Sequence, residues 1–132
     1  EAFRRNLDDE GRAQARRIGA WFDTRGLKPA RLRSSPWCRC LETATLAFGR
    51  PETWPALGSP HGASESTSAA ALAELRRALV AVKSQPGRFE VWVTHMFVLS
   101  ALTGENSASG EGLLLQADAG GAPRVLARLP IA

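Results

Sequence analysis

A chain of 132 residues with 44% hydrophobic and 23% charged residues has room for one domain with a sizeable core, and this composition excludes a disordered chain. Its longest apolar runs are too short to cross a bilayer. The net charge of +4 and the pI near 10.0 admit an anionic partner, yet most of the arginines sit apart, among them Arg4-Arg5, Arg12, Arg16-Arg17, Arg31, Arg33, Arg39 and Arg76-Arg77, with no basic arm and no tyrosine to build a stacking platform. A solvated, arginine-rich surface is expected rather than a nucleic-acid-binding face.

In chain order, Asp8 is a natural N-cap, and Asp9 and Glu10 place negative charge on the positive end of a helix dipole. Gly11, Ala15, Ile18 and Phe22 then recur at helical spacing, so an amphipathic helix is expected to about Arg25, closed by Gly26. Ala30 to Ser35 alternates as a short strand. Pro36 after a serine signals a helix start, and Trp37, Leu41, Ala44 and Phe48 share a face as far as Gly49. From Arg50 to about Ser66 no period is visible, which predicts a long loop containing Trp54 and an exposed His61.

Ser66 or Thr67 can cap a third helix with the stripe Leu72, Leu75, Leu79 and Val82, ending near Lys83 before the turn Gln85-Pro86-Gly87. The run Phe89-Glu90-Val91-Trp92-Val93-Thr94-His95 is apolar enough for a strand buried on both faces, and it delivers His95 to the start of a short helical segment, Phe97 to Leu102, ending at Gly104. Gly112 to Ala117 and Pro123 to Leu129 read as a hairpin around Asp118-Ala119-Gly120-Gly121. Alternating helices and strands of this kind argue for an α/β sandwich with a mostly parallel sheet, in which ligands lie beyond the carboxyl ends of the strands.

Two strand-to-helix junctions carry the chemistry: Ser34-Ser35-Pro36-Trp37-Cys38-Arg39 and Thr94-His95-Met96. If their strands are parallel neighbours, both junctions open on one edge. Arg39 falls in the first turn of a helix, where a cation faces the positive end of the dipole; that placement is useful if an anion binds there, and otherwise Arg39 would pair with Glu42 or Asp23. An imidazole at His95 suits acid/base work or phosphate binding, the alternative being a satisfied core histidine. Cys38 and Cys40, two apart on a helix, point to different sides, cannot readily bond each other and lack metal-site spacing.

Three separate motifs, in order, resemble the histidine phosphatase superfamily, the phosphoglycerate-mutase-like fold. They are Asn6-Leu7-Asp8-Asp9-Glu10-Gly11-Arg12-Ala13-Gln14-Ala15, then Ser34-Ser35-Pro36-Trp37-Cys38-Arg39-Cys40-Leu41-Glu42-Thr43-Ala44, then Val93-Thr94-His95 with Leu102-Thr103-Gly104 and Ser109-Gly110-Glu111. The resemblance implies a three-layer α/β/α sandwich with a mostly parallel central sheet. Its pocket would hold a phosphoryl group with Arg39, His95 and the backbone of Met96, with Ser35 shaping the turn and Glu65 or Glu52 as candidates for the general acid. It implies a phosphomonoester hydrolase working through phosphohistidine, a small phosphorylated substrate or inorganic phosphate as partner, and no metal or organic cofactor.

The family's Arg-His-Gly segment, which supplies the nucleophile from the first, central strand, is not present, and no Arg-His pair occurs anywhere in the chain. Residues 1–132 are therefore expected to form a single, N-terminally incomplete domain without that strand, inactive as it stands, with raw sheet edges and exposed apolar surface. A start at Glu1 without Met agrees with processing or truncation, and no signal-peptide pattern is present. A non-catalytic phosphate-binding or interaction domain is the alternative. The Trp-Cys-Arg-Cys variant of the second motif is similar to exported bacterial members, where an upstream cysteine could pair with Cys38 or Cys40; otherwise the protein would be cytoplasmic.

Overall fold

The structure, a computed structural model, describes residues 6–58 and 66–129. Helix α1 spans Asp9–Thr24, and Asp8 caps it as expected, its carboxylate accepting the Gly11 amide at 2.8 Å. Strand β1 is Arg31–Ser34 and helix α2 is Cys38–Phe48. Trp37, not Ser35, occupies the N-cap of α2, so Pro36 lies before the helix and not at its first position. The displacement has a local cause: the Ser35 hydroxyl accepts the Trp37 amide at 3.2 Å and holds Pro36 and Trp37 outside the helix.

The stretch expected to be loop contains a two-residue strand, β2 (Glu52–Thr53), and a 3-10 turn at Pro55–Leu57. A pair of strand residues is too short to leave a period, although Pro55 is the usual opening of such a turn. Helix α3 is Ala69–Lys83, and its cap is Ser68 rather than Ser66 or Thr67, with the hydroxyl accepting the Ala71 amide at 3.0 Å. Strand β3 is Glu90–Val93, and α4 runs Met96–Thr103 to a left-handed Gly104 at φ 77°. Strands β4 (Gly112–Ala117) and β5 (Pro123–Leu129) form the expected antiparallel hairpin, with an irregularity between Leu114 and Leu115.

Strands β2, β1 and β3 make a parallel sheet in that order, and β4–β5 make a second, separate sheet. All four residues of β3 are half-buried, contrary to the expectation of burial on both faces. Among the described residues β3 has a strand partner only on its β1 side.

Leu57, Leu75, Leu79, Val98, Leu102 and Ala117 form the main core, drawn from the 3-10 turn, α3, α4 and β4. Across the molecule α1 and α2 pack so closely at Gly19 that a Cβ there would stand 2.3 Å from the Ala47 carbonyl oxygen. Arg33 departs from the solvated surface expected of the arginines. It pairs with Glu90 at 2.8 Å across β1 and β3 and lies 3.7 Å from the Trp54 ring centroid, while Trp92 donates to the same carboxylate at 2.9 Å. Among the described residues no helix is long and apolar enough to cross a membrane.

Candidate active site at the carboxyl edge of the parallel sheet

Strands β1 and β3 run parallel with Ser34 opposite Val93, so both strand-to-helix junctions open on one edge, as the sequence predicts. The edge is tied together by backbone: the Ser35 amide donates to the Val93 carbonyl at 2.9 Å, and the Thr94 hydroxyl donates to the Leu57 carbonyl at 2.6 Å. His95 occupies the N-cap of α4 with no side-chain bond to that helix, and Trp37 likewise leaves α2 without a side-chain cap. Two helix N-termini, whose first amides have no partner among the described residues, therefore lie with their positive dipole ends beside one imidazole.

His95 is 7% exposed, and its Nε2 lies 2.8 Å from the Ser35 hydroxyl. Trp37 meets its ring edge-on at 4.4 Å between centroids, and Phe97 stacks on it at 4.8 Å. Burial first, and the nearby charge of Arg39 second, lower the His95 pKa to about 4, so the imidazole is neutral at pH 7. With Trp37 N–H already donating to Ser35 Oγ, the serine proton is free to point at Nε2, which leaves Nδ1 as the protonated nitrogen of the neutral ring.

Cys40 is buried behind the histidine. Its Sγ is 3.7 Å and 3.8 Å from the two ring nitrogens, a near-equal pair of distances that describes packing against the ring rather than a directed bond. The thiol donates instead to the Thr94 carbonyl at 3.6 Å, and burial raises its pKa to about 11, so it is neither thiolate nor nucleophile at neutral pH. Both cysteines are free, and Cys38 is the less buried of the two.

Arg39 sits in the first turn of α2, half-buried, and its guanidinium makes no ion pair with a described residue. The pairing with Glu42 allowed by the sequence does not form, because Glu42 is taken by Arg12 at 3.0 Å and by the Leu7 amide at 2.9 Å. These bonds, Arg12 foremost, hold the Glu42 carboxyl below the usual range. Met96 places its backbone at the start of α4 while its side chain is exposed.

Of the two acid candidates, Glu65 lies outside the described residues, as does His61. Glu52 is wrongly placed for a proton donor, because its carboxylate receives two bonds from Arg31, at 2.8 and 2.9 Å, near the amino end of β1 and away from His95. Arg31 also lowers the Glu52 pKa, the opposite of what general-acid chemistry requires.

Two contributors were not legible in the sequence. Ser35, expected only to shape its turn, is the direct partner of His95, and Gly58 covers the pair: a Cβ there would stand 2.3 Å from Ser35 Oγ and 2.7 Å from His95 Nε2. A lone glycine after a 3-10 turn gives no sequence signal of such closeness.

Neither a family model nor a curated protein matches the chain. Solved structures do. The protein histidine phosphatase SixA, complexed with tungstate, is 17% identical, with a TM-score of 0.71 over 98% of this chain and 86% of its own. TTHB049 from Thermus thermophilus is 24% identical, with a TM-score of 0.57 over 96% and 85%. At such identities the likeness concerns the path of the backbone, and the fold of this chain is that of the protein histidine phosphatase.

Proposed function

We propose that Arg39, His95 and the first amides of α2 and α4 hold the phosphoryl group of a phosphomonoester, in a hydrolase that works through phosphohistidine. The carrying observation is the meeting, at one sheet edge, of two uncapped helix N-termini, a neutral imidazole and a guanidinium with no carboxylate partner among the described residues. Each is suited to a tetrahedral oxyanion, and together they supply donors from several directions. The SixA structure of the same fold holds tungstate, an anion of that shape.

In the proposed reaction an imidazole outside these 132 residues attacks phosphorus, the bond from phosphorus to the alcohol oxygen breaks, and that oxygen takes a proton from an acid for which Glu65 is the candidate. Water then attacks phosphorus and gives its proton to the carboxylate left by that acid, the phosphorus–nitrogen bond breaks with its electron pair returning to the imidazole, and inorganic phosphate leaves. In both halves Arg39 neutralises charge on the equatorial oxygens and His95 serves as a neutral hydrogen-bond donor, and the chain alone binds without turning over. No metal or organic cofactor has a role.

Tungstate titrated into this chain should bind, and Arg39→Ala should weaken it by roughly ten- to a hundredfold, the worth of a charge-assisted contact of about 1.5–3 kcal/mol. The longer gene product should release nitrophenol from p-nitrophenyl phosphate. No release, with His95→Ala indistinguishable from the parent, would overturn the hydrolase; tungstate binding that survives alongside that result would identify a phosphate-binding domain instead.

A further inference from the structure

We infer that Ser35 is a positioning residue of the proposed phosphate site: its hydroxyl donates to His95 Nε2 and thereby holds the ring in the tautomer that offers Nδ1–H to an oxyanion. What the ring donates to rests on the phosphate reading, whereas the tautomer rests on the local geometry alone. Each hydrogen-bonding atom of Ser35 has a partner, which leaves the side chain little freedom. The amide donates to the Val93 carbonyl at 2.9 Å, the carbonyl accepts the Ser34 hydroxyl at 2.9 Å, and Oγ accepts the Trp37 amide at 3.2 Å. The hydroxyl proton remains to be placed, and His95 Nε2 lies 2.8 Å from Oγ.

Two acceptors compete for that proton. Cys40 Sγ stands within reach of the same hydroxyl, but a thiol sulfur accepts weakly and an imidazole nitrogen strongly, so the proton goes to Nε2. A neutral ring that accepts at Nε2 must carry its own proton at Nδ1. Among the described residues Nδ1–H has no oxygen or nitrogen acceptor, and its contact with Cys40 Sγ at 3.8 Å is too weak to satisfy it. An anionic oxygen would satisfy that donor, whereas the other tautomer would turn a lone pair towards the same oxygen. Gly58 keeps the arrangement intact: a Cβ there would stand 2.3 Å from Ser35 Oγ and 2.7 Å from His95 Nε2, so any side chain would drive the hydroxyl off the ring.

Nitrogen-15 spectra of the labelled 132-residue chain at pH 7, where the ring is neutral, read the tautomer directly, and His95→Gln identifies the His95 signals. The parent should show a protonated, pyrrole-type Nδ1 and an unprotonated, pyridine-type Nε2. Ser35→Ala should move the ring towards the Nε2–H form that predominates in water, with the near-UV spectrum unchanged. It should also weaken tungstate binding by roughly fivefold or more, the worth of one hydrogen bond. Ser35→Thr, which keeps the hydroxyl, should restore both the tautomer and the affinity. Gly58→Ala should shift the tautomer as Ser35→Ala does, although Ser35 is still in place. An Nε2–H ring in the parent would overturn the role of Ser35 even if no variant folds, and so would tungstate bound by Ser35→Ala as tightly as by the parent. A parent that shows the expected tautomer but binds no tungstate would overturn the phosphate reading, and the positioning role with it, while leaving the tautomer standing.

Discussion

His95 shows how burial, with the charge of Arg39 behind it, sets the acid-base behaviour of the edge. The imidazole titrates near 4 in the folded chain and near 6.5 when unfolded, so between these values the unfolded state binds more protons. The stability that His95 contributes is therefore complete above pH 6.5 and is lost as the pH falls towards 4. At pH 5 the loss is at most about 2 kcal/mol, since each unit of pH below the unfolded pKa costs about 1.4 kcal/mol. The lowered carboxyls, Glu42, Glu52 and Glu111, lose their contribution only below their ordinary range, so among the described residues the window from pH 7 to pH 5 belongs to His95. Urea unfolding at pH 7 and pH 5 should thus show a decline in the parent and a flatter profile in His95→Gln; parallel profiles would mean that the ring is solvated in the folded state.

At the scale of elements, α1 lies directly on the backbone of α2 at Gly19. Alanine there would gain up to about 1 kcal/mol in helix propensity. A Cβ 2.3 Å from the Ala47 carbonyl oxygen meets backbone that cannot rotate away, so the two helices must separate, at a cost of roughly 1–3 kcal/mol. The clash wins: Gly19→Ala should lower the urea midpoint, and a neutral or raised midpoint would show that the helices can slide. The elements themselves are largely legible in the sequence. Asp8, Gly104 and the turn Asp118 to Gly121 announce their roles in local backbone chemistry, and α1, α4, β4 and β5 fall where those signals place them. The start of α2 departs from its Ser-Pro signal because the Ser35 hydroxyl takes the Trp37 amide, and β2 is invisible because its two residues owe their conformation to pairing with β1. Likewise the junctions of His95 and Arg39 can be read from strand-helix order, whereas the Ser35–His95 bond and its Gly58 cover depend on contacts across 60 and 37 positions of sequence, which no local pattern encodes.

For the whole molecule, the decisive feature is where its apolar surface lies. Among the described residues three of the five exposed large hydrophobic ones, Leu27, Leu114 and Leu126, line the cleft between the two sheets, so most of this exposed apolar surface gathers at one concave site. The helices beside it are otherwise well packed: Leu75 is 0% exposed and Val98 1%, which is rigid packing and not the loosened interior of a molten globule. A dye such as anilinonaphthalene sulfonate should therefore fluoresce with the native chain while the near-UV circular dichroism of Trp37 and Trp92 stays intact. Leu114→Arg, at an exposed position of that cleft, should reduce the fluorescence. Dye binding accompanied by a lost near-UV spectrum would mean a loose core in place of a preformed cleft. The two outcomes are separable because a cleft binds dye at one place that a single substitution alters, whereas a loose core exposes apolar surface throughout.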